Sequence, residues 1–252
     1  MAYQALYRKY RPKRFQDVIG QEHITTILKN QILEGHVAHA YLFTGTRGTG
    51  KTSTAKIFAK ALNCDAPIAG EPCGECPSCR IAETGGVDII ELDAASNTGV
   101  EDMRALIDKA RFAPLDLRVK VYIIDEAHML SKSAFNALLK TLEEPPAHVV
   151  FILATTEPQS IPATIVSRCQ RFDFHRLRVE DIVSCMESVL KSAGASIAPE
   201  GMVAIARAAE GGMRDALSLA DQCISFCGGN VAAEDVYGVL GSMESDFLFD
   251  VA

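Results

Sequence analysis

No apolar run in this 252-residue chain approaches the ~18 residues a membrane helix needs. A helical membrane span, and with it a membrane partner, is therefore not expected. The N-terminus also lacks the apolar stretch of a secretory signal. It opens on basic residues instead, Arg8, Lys9, Arg11, Lys13 and Arg14, with no acid before Asp17. A transit peptide would share that bias, but the stretch has no serine and Pro12 breaks it. The expected location is the cytoplasm. Excess positive charge is missing too: the formal net charge is −7, a balance that does not advertise nucleic-acid binding. The charge is uneven, however. Residues 1–60 hold ten Lys and Arg against three Asp and Glu. That asymmetry suits a side facing a polyanion, and a solvated basic face explains it about as well. Internal repeats and low-complexity segments are also missing. What the chain does have is 48% apolar residues, enough for packed cores at a length of one large or two ordinary domains.

The most informative run is Gly45-Thr46-Arg47-Gly48-Thr49-Gly50-Lys51-Thr52, which fits G-x-x-x-x-G-K-[ST] at every fixed position. A strand-like stretch, Ala40–Phe43, precedes it, and a helix-like stretch, Thr52–Leu62, follows. In that order, glycines let backbone N–H groups turn toward phosphate oxygens, and the helix start adds its positive end. Lys51 then reaches the β- and γ-phosphates of ATP, and the Thr52 hydroxyl binds Mg²⁺. Further candidate strands are Val87–Leu92, Val119–Ile124, Val149–Ala154 and Arg171–Phe174. The clearest helix between them is Ser133–Glu143, stopped by Pro145-Pro146. Alternating strands and helices predict an α/β fold over 1–178 with a mostly parallel five-stranded sheet. From Val179 the strand signal disappears. Helical stripes closed by Gly194, Gly211-Gly212 and Gly228-Gly229, then a short helix over 233–240, predict a small all-α domain over 179–241. Residues 242–252 carry Phe247, Leu248 and Phe249 with too little sequence to bury them, and are expected to begin a third domain.

Val121–Ile124 runs into Asp125 and Glu126, 73 residues after Thr52. A parallel strand beside the P-loop strand would bring Asp125 to Mg²⁺ and let Glu126 polarise an attacking water. Asp125-Glu126-Ala127-His128 also spells a helicase label, but such motors need a second strand–helix lobe that the chain does not carry. Ala154-Thr155-Thr156 ends the next strand, and Thr156 is chosen as the hydroxyl that senses the γ-phosphate or orients the water. An ordinary turn threonine would look the same. Arg168, in Ser167-Arg168-Cys169, and Arg214, in Gly211-Gly212-Met213-Arg214-Asp215, are candidates to meet phosphate charge. Arg214 stands near a helix start, where a cation opposes the dipole unless Asp215 compensates.

Cys64, Cys73, Cys76 and Cys79 form C-x₈-C-x₂-C-x₂-C among prolines and glycines. In a reducing compartment this spacing favours tetrahedral, structural Zn²⁺ over disulfides. An iron–sulfur run would want another cysteine after three intervening residues, where Glu83 stands. Free or redox thiols are the remaining alternative. Cys169, Cys185, Cys223 and Cys227 are read as packing residues.

Together these features resemble the AAA+ family. The opening Tyr7–Lys13 with Phe15 and Val18–Gln21, the Ser-Arg-Cys triplet and the cysteine insert resemble its clamp-loader branch, the gamma/tau family of bacterial DNA polymerase III. The resemblance covers essentially the whole chain. It implies an ATPase, with nucleotidyl transfer belonging only to the polymerase holoenzyme. It implies that Tyr7, Arg11, Val18 and Ile19 surround the adenine, and that Gly45, Thr46, Gly48, Thr49, Gly50, Lys51, Thr52 and Ser53 hold the phosphates. Asp125 and Thr52 would hold Mg²⁺. Arg168 would act on a neighbouring subunit's ATP, and Arg214, from a lid domain, on its own. Implied partners are other gamma/tau copies, the delta and delta-prime subunits, a sliding clamp and primer–template DNA, with DNA contacts near Ser96-Asn97-Thr98. The third domain would be the collar of the ring. A nucleotide-holding scaffold without turnover, and another AAA+ DNA motor, are the alternatives. The intact Lys51, Thr52, Asp125 and Glu126 set opposes the first, and the cysteine insert opposes the second.

Overall fold

A computed structural model describes residues 4–96 and 99–250, with side chains described through residue 241. Asn97 and Thr98, expected near DNA, lie outside the described residues, as do the side chains of Phe247, Leu248 and Phe249. Two compact units emerge, one around a sheet (Pro12–Gly45 and Gly50–Phe174) and one around helices. The helical unit takes the chain from His175 onward, the segment up to Arg11, and Thr46–Thr49 at the crest of the P-loop. The sequence pattern places everything before residue 179 in one domain.

The first helix, α1 (Leu6–Lys9), belongs to the helical unit; the sheet unit runs α2 (Glu22–Glu34), β1 (Ala40–Thr44), α3 (Lys51–Leu62), α4 (Pro77–Thr84), β2 (Ile89–Asp93) and α5 (Val100–Ala110). Then follow β3 (Lys120–Asp125), α6 (Lys132–Glu143), β4 (Val149–Thr155), α7 (Ala163–Val166) and β5 (Gln170–Asp173). The five strands pair in parallel in the order β2-β3-β4-β1-β5. Every residue of β1 and β4 is buried, as expected when a parallel sheet is covered on both faces, whereas the edge strands β2 and β5 are half-buried. Alternate residues feed two cores. Leu42, Tyr122, Ile124, Phe151 and Leu153 pack with α5 and α6. Tyr41, Phe43, Val121, Ile123 and Ile152 pack with α2 and α3.

One expectation is corrected by this order. The strand bearing Asp125 does not lie beside the P-loop strand, because β4 separates them. Apolar runs buried on both faces carry no register information, so sequence order suggested an adjacency that the topology refuses.

The helical unit comprises α1 (Leu6–Lys9), α8 (Val179–Ala193), α9 (Pro199–Ala208), α10 (Met213–Cys227) and α11 (Ala233–Asp250). Ile182, Met186, Ile205, Ala216, Ala220 and Val236 form its core, and Leu6 packs into it. The Leu6 N–H donates to Asp221 Oδ2 at 2.9 Å, which ties α1 to α10. Two details differ from expectation. Strand does occur here, as a two-residue parallel pair, β6 (Ser196–Ile197) with β7 (Asn230–Val231). The last helix also runs ten residues past 240. Among the described residues, no helix is long and apolar enough to cross a membrane.

Candidate nucleotide site and cysteine cluster

In the sheet unit, α3 is the next element after β1, with Gly50 as its N-cap at φ 103° and no acidic residue in its first turn. Its positive end is thus left for an anion from outside the helix. Gly45 is demanded by space as well as by conformation. Its φ is 143°, and a Cβ there would lie 2.5 Å from Phe174 O. Lys51 is 6% exposed, and its Nζ donates to Gly45 O at 2.8 Å. Burial pushes its pKa down, while the charges of Glu126 and Asp125 push it back up. A buried ammonium stays charged at least cost beside anions, and Glu126 and Asp125 supply them here.

Although β4 intervenes, Thr52 and Asp125 meet. The Thr52 hydroxyl donates to Asp125 Oδ2 at 2.7 Å, and Asp125 Oδ1 accepts the Glu126 N–H at 3.1 Å. A hydroxyl and a carboxylate converging at a P-loop are a hard-oxygen pair suited to Mg²⁺. Glu126 itself adopts a left-handed backbone, φ 46° and ψ 47°, which turns the chain out of β3 into the short turn Ala127–Met129. Such a conformation is uncommon outside glycine and costs on the order of 1 kcal/mol or more. Thr156 donates to Glu126 Oε2 at 3.1 Å. The expected sensor and the expected base are therefore in contact.

Arg168 is brought elsewhere. Its Nη1 donates to Thr164 O at 2.8 Å and its Nη2 to Glu143 Oε1 at 2.7 Å, an ion pair at the surface of the sheet unit. Val18 is buried, with its Cγ1 3.5 Å from where a Gly50 Cβ would sit, while Ile19 is half-buried. Ser53, in the first turn of α3, is half-buried too.

Within the helical unit, Thr49 Oγ1 donates to Thr46 O at 2.8 Å and the Met213 N–H donates to Gly48 O at 3.1 Å. Gly48 has φ 78°, and a Cβ there would approach Gly212 Cα to 3.0 Å. The Arg214 guanidinium lies 5.0 Å from the centre of the Tyr7 ring, a cation–π contact. A hydrogen bond from Arg8 first, and Arg214 further down, hold the Tyr7 phenol below its usual pKa. Arg11 is exposed. Asp215 occupies the first turn of α10, where a carboxylate suits the helix dipole.

All four cysteines of the insert converge. Their Sγ atoms lie within 4.8 Å of one another, with Cys64 to Cys76 at 4.0 Å and Cys73 to Cys79 at 3.9 Å. Sulfurs bound tetrahedrally to one zinc would stand about 3.8 Å apart, so the donor set fits. Backbone N–H groups of Cys73, Cys76 and Cys79 point at the sulfurs of Cys64, Cys73 and Cys76, at 3.3, 3.4 and 3.3 Å. Amides of Glu75 and Cys76 pull the Cys73 thiol down to about 6, whereas burial pushes Cys64 and Cys79 up. Glu71 ties the insert back to the unit by accepting the N–H groups of Phe15 at 2.8 Å and Gln16 at 3.0 Å.

Two residues were not singled out by the sequence pattern. His128 Nδ1 lies 3.1 Å from Thr155 Oγ1 and 3.5 Å from Glu126 Oε2. In the sequence His128 stands only as the last letter of the helicase-like run Asp125-Glu126-Ala127-His128, with no role in the site. Glu143, partner of Arg168, is on its face an ordinary helix-end acid.

A P-loop following an inner strand of a parallel sheet, with an acid pair at the tip of β3 and a helical unit after it, defines a P-loop nucleotide-binding protein of the AAA+ class. The family model described as DNA polymerase III, delta subunit, matches residues 20–178, and the one described as DNA polymerase III clamp loader subunit, ATPase lid domain, matches residues 181–229. DNA polymerase III subunit tau of Bacillus subtilis is 55% identical over all of this chain and 45% of its own length. DNA polymerase III subunit gamma of Buchnera aphidicola (subsp. Baizongia pistaciae) is 44% identical over 98% of this chain and 67% of its own. The chain belongs to the clamp-loader subunit family of bacterial DNA polymerase III, the branch of the gamma and tau subunits. It spans less than half the length of the Bacillus relative. The Thermotoga maritima RuvB Holliday junction branch migration motor shares the fold, with a TM-score of 0.66 at 20% identity over 92% of this chain and 72% of that one.

Proposed function

We propose that this chain is the ATP-binding and ATP-hydrolysing motor part of a clamp-loader subunit, working with further gamma/tau copies and the delta and delta-prime subunits. In this reading ATP lets the assembly open a sliding clamp, and primer–template DNA triggers hydrolysis. One observation carries it: Lys51, Thr52, Asp125 and Glu126 are all intact, with Thr52 and Asp125 in contact at 2.7 Å. A scaffold subunit could have lost any one of them without penalty.

Lys51 and the amides of Gly45–Thr52 bind the phosphates, and Ser53 continues that cradle. Tyr7, Arg11, Val18 and Ile19 bound the adenine. Thr52 and Asp125 would hold Mg²⁺, which would supply positive charge to the transferring phosphoryl group. Glu126 orients and polarises the attacking water, and Thr156 reports the γ-phosphate to it. Arg214 meets phosphate charge on its own subunit's nucleotide, and Arg168 meets it on a neighbour's. Zn²⁺ in the four-cysteine cluster is structural, since four thiolates leave no open position for chemistry.

The test is ATP turnover of the full-length protein, alone and with partner subunits, clamp and primed DNA, alongside Lys51→Ala. Strong stimulation only by the full combination, abolished in the variant, is expected. Nucleotide binding without turnover under every combination would leave the scaffold reading instead.

A further inference from the structure

We propose that His128 is a positioning residue for Glu126, fixing the carboxylate from a rigid anchor at the tip of β4. The inference rests on reading Glu126 as the group that polarises water. Its anchor is Thr155, fully buried, whose Oγ1 also accepts the Glu157 N–H at 3.0 Å. His128 Nδ1 stands 3.1 Å from that oxygen and 3.5 Å from Glu126 Oε2. On its other flank the same Oε2 accepts from Thr156 at 3.1 Å. One carboxylate oxygen is thus held between an imidazole and a hydroxyl, both referred to the end of a single inner strand.

The proposed role of His128 requires one tautomer. Were Nδ1 unprotonated and accepting from the Thr155 hydroxyl, its lone pair would face a carboxylate oxygen 3.5 Å away, an unfavourable arrangement. Protonated at Nδ1, the ring donates to Thr155 and presents a positive dipole to Glu126. His128 is 13% exposed at its side chain, so water competes little for these contacts. Glu126 needs such support. Its left-handed backbone swings the side chain out of the strand, and nothing in its own rotamer preference fixes where the carboxylate ends. A base misplaced by about 1 Å can lose a hundredfold in rate.

The experiment uses the full-length protein in its assembly and compares wild type with His128→Asn, His128→Leu and Glu126→Gln. Asn keeps an N–H donor near the position of Nδ1, whereas Leu keeps bulk without a donor. Expected is a loss of roughly tenfold or more in kcat for H128L, with KM for ATP and nucleotide affinity unchanged, and largely restored kcat for H128N. A purely structural histidine would instead affect both variants alike, or move KM and thermal stability with kcat. A second readout needs no turnover: imidazole ¹⁵N NMR is expected to show His128 protonated at Nδ1, with its resonances shifted by E126Q. An Nε2–H ring indifferent to E126Q overturns the proposal, as does normal kcat in H128L. If E126Q itself turns over normally, the reading of Glu126 fails. If E126Q is dead and H128L is normal, only the role of His128 fails.

Discussion

Asp88 shows how one side chain can carry a loop. It is fully buried, and its carboxylate accepts the N–H groups of Leu115, Asp116 and Leu117 at 3.0, 2.7 and 3.0 Å. Burial pushes its pKa up, but those amides and the charge of Lys120 outweigh burial and hold it below the usual aspartate value. A depressed folded-state pKa means stabilisation that is present above the unfolded value of about 3.9 and lost as pH falls through the folded one. Asp88→Asn turns one accepting oxygen into a donor facing other donors. It should cost about 2–4 kcal/mol at pH 7, measured by urea unfolding, with the gap to wild type closing below about pH 4. An equal cost at pH 7 and pH 3 would contradict this account. The anchor was not legible in sequence, where Val87-Asp88 reads as the start of a strand. In fact Val87 is 58% exposed and β2 starts only at Ile89. Lys51, Thr52, Asp125 and Glu126 were legible because phosphate chemistry demands those types at those spacings. His128 was not, because its meaning depends on Thr155 arriving from another strand.

Among the elements, the inner strands were legible because burial on both faces leaves continuous apolar runs, as in Val149–Thr155. Their spatial order was not. The helix that leaves the cysteine insert, α4, is not apparent from periodicity, although its start signal is present: Pro77 follows Cys76, whose sulfur caps the helix by accepting the Cys79 N–H at 3.3 Å. Were Zn²⁺ bound, that double role would tie metal to structure. With sulfurs fixed by Zn²⁺, α4 keeps its cap, and Glu71 keeps the insert on the amides of Phe15 and Gln16. Elemental analysis should return about one zinc per chain. Stripping it with a strong chelator should expose four titratable thiols. Hydrogen exchange should then rise over 64–85 and at residues 15 and 16, leaving β1, β3 and β4 protected. Metal-free native protein whose Cys73 and Cys76 alkylate freely would remove the zinc assignment.

At the scale of the whole molecule, Arg168 is tied to Thr164 and Glu143 and, among the described residues, makes no hydrogen bond to those of the P-loop. Both terminal nitrogens of Arg168 are occupied, by Thr164 O and by Glu143, at the surface of the sheet unit. An exposed ion pair of this kind is worth at most about 1 kcal/mol, so a neighbouring triphosphate can outcompete Glu143 for the guanidinium. An arginine supplied in trans commonly contributes roughly 10³-fold or more to phosphoryl transfer. The proposed motor therefore needs two chains for each act of hydrolysis, one giving the P-loop and the other Arg168. Complementation tests this directly. Full-length Lys51→Ala and Arg168→Ala chains, each assembled separately with the partner subunits, should hydrolyse ATP far more slowly than wild type. Assembled together, they should regain turnover, because a K51A copy still offers its arginine to the intact P-loop of an R168A copy. Nucleotide binding by R168A should equal wild type throughout. A mixed assembly as inactive as its parents, although equally well formed by light scattering, would mean that Arg168 works within its own chain or not at all.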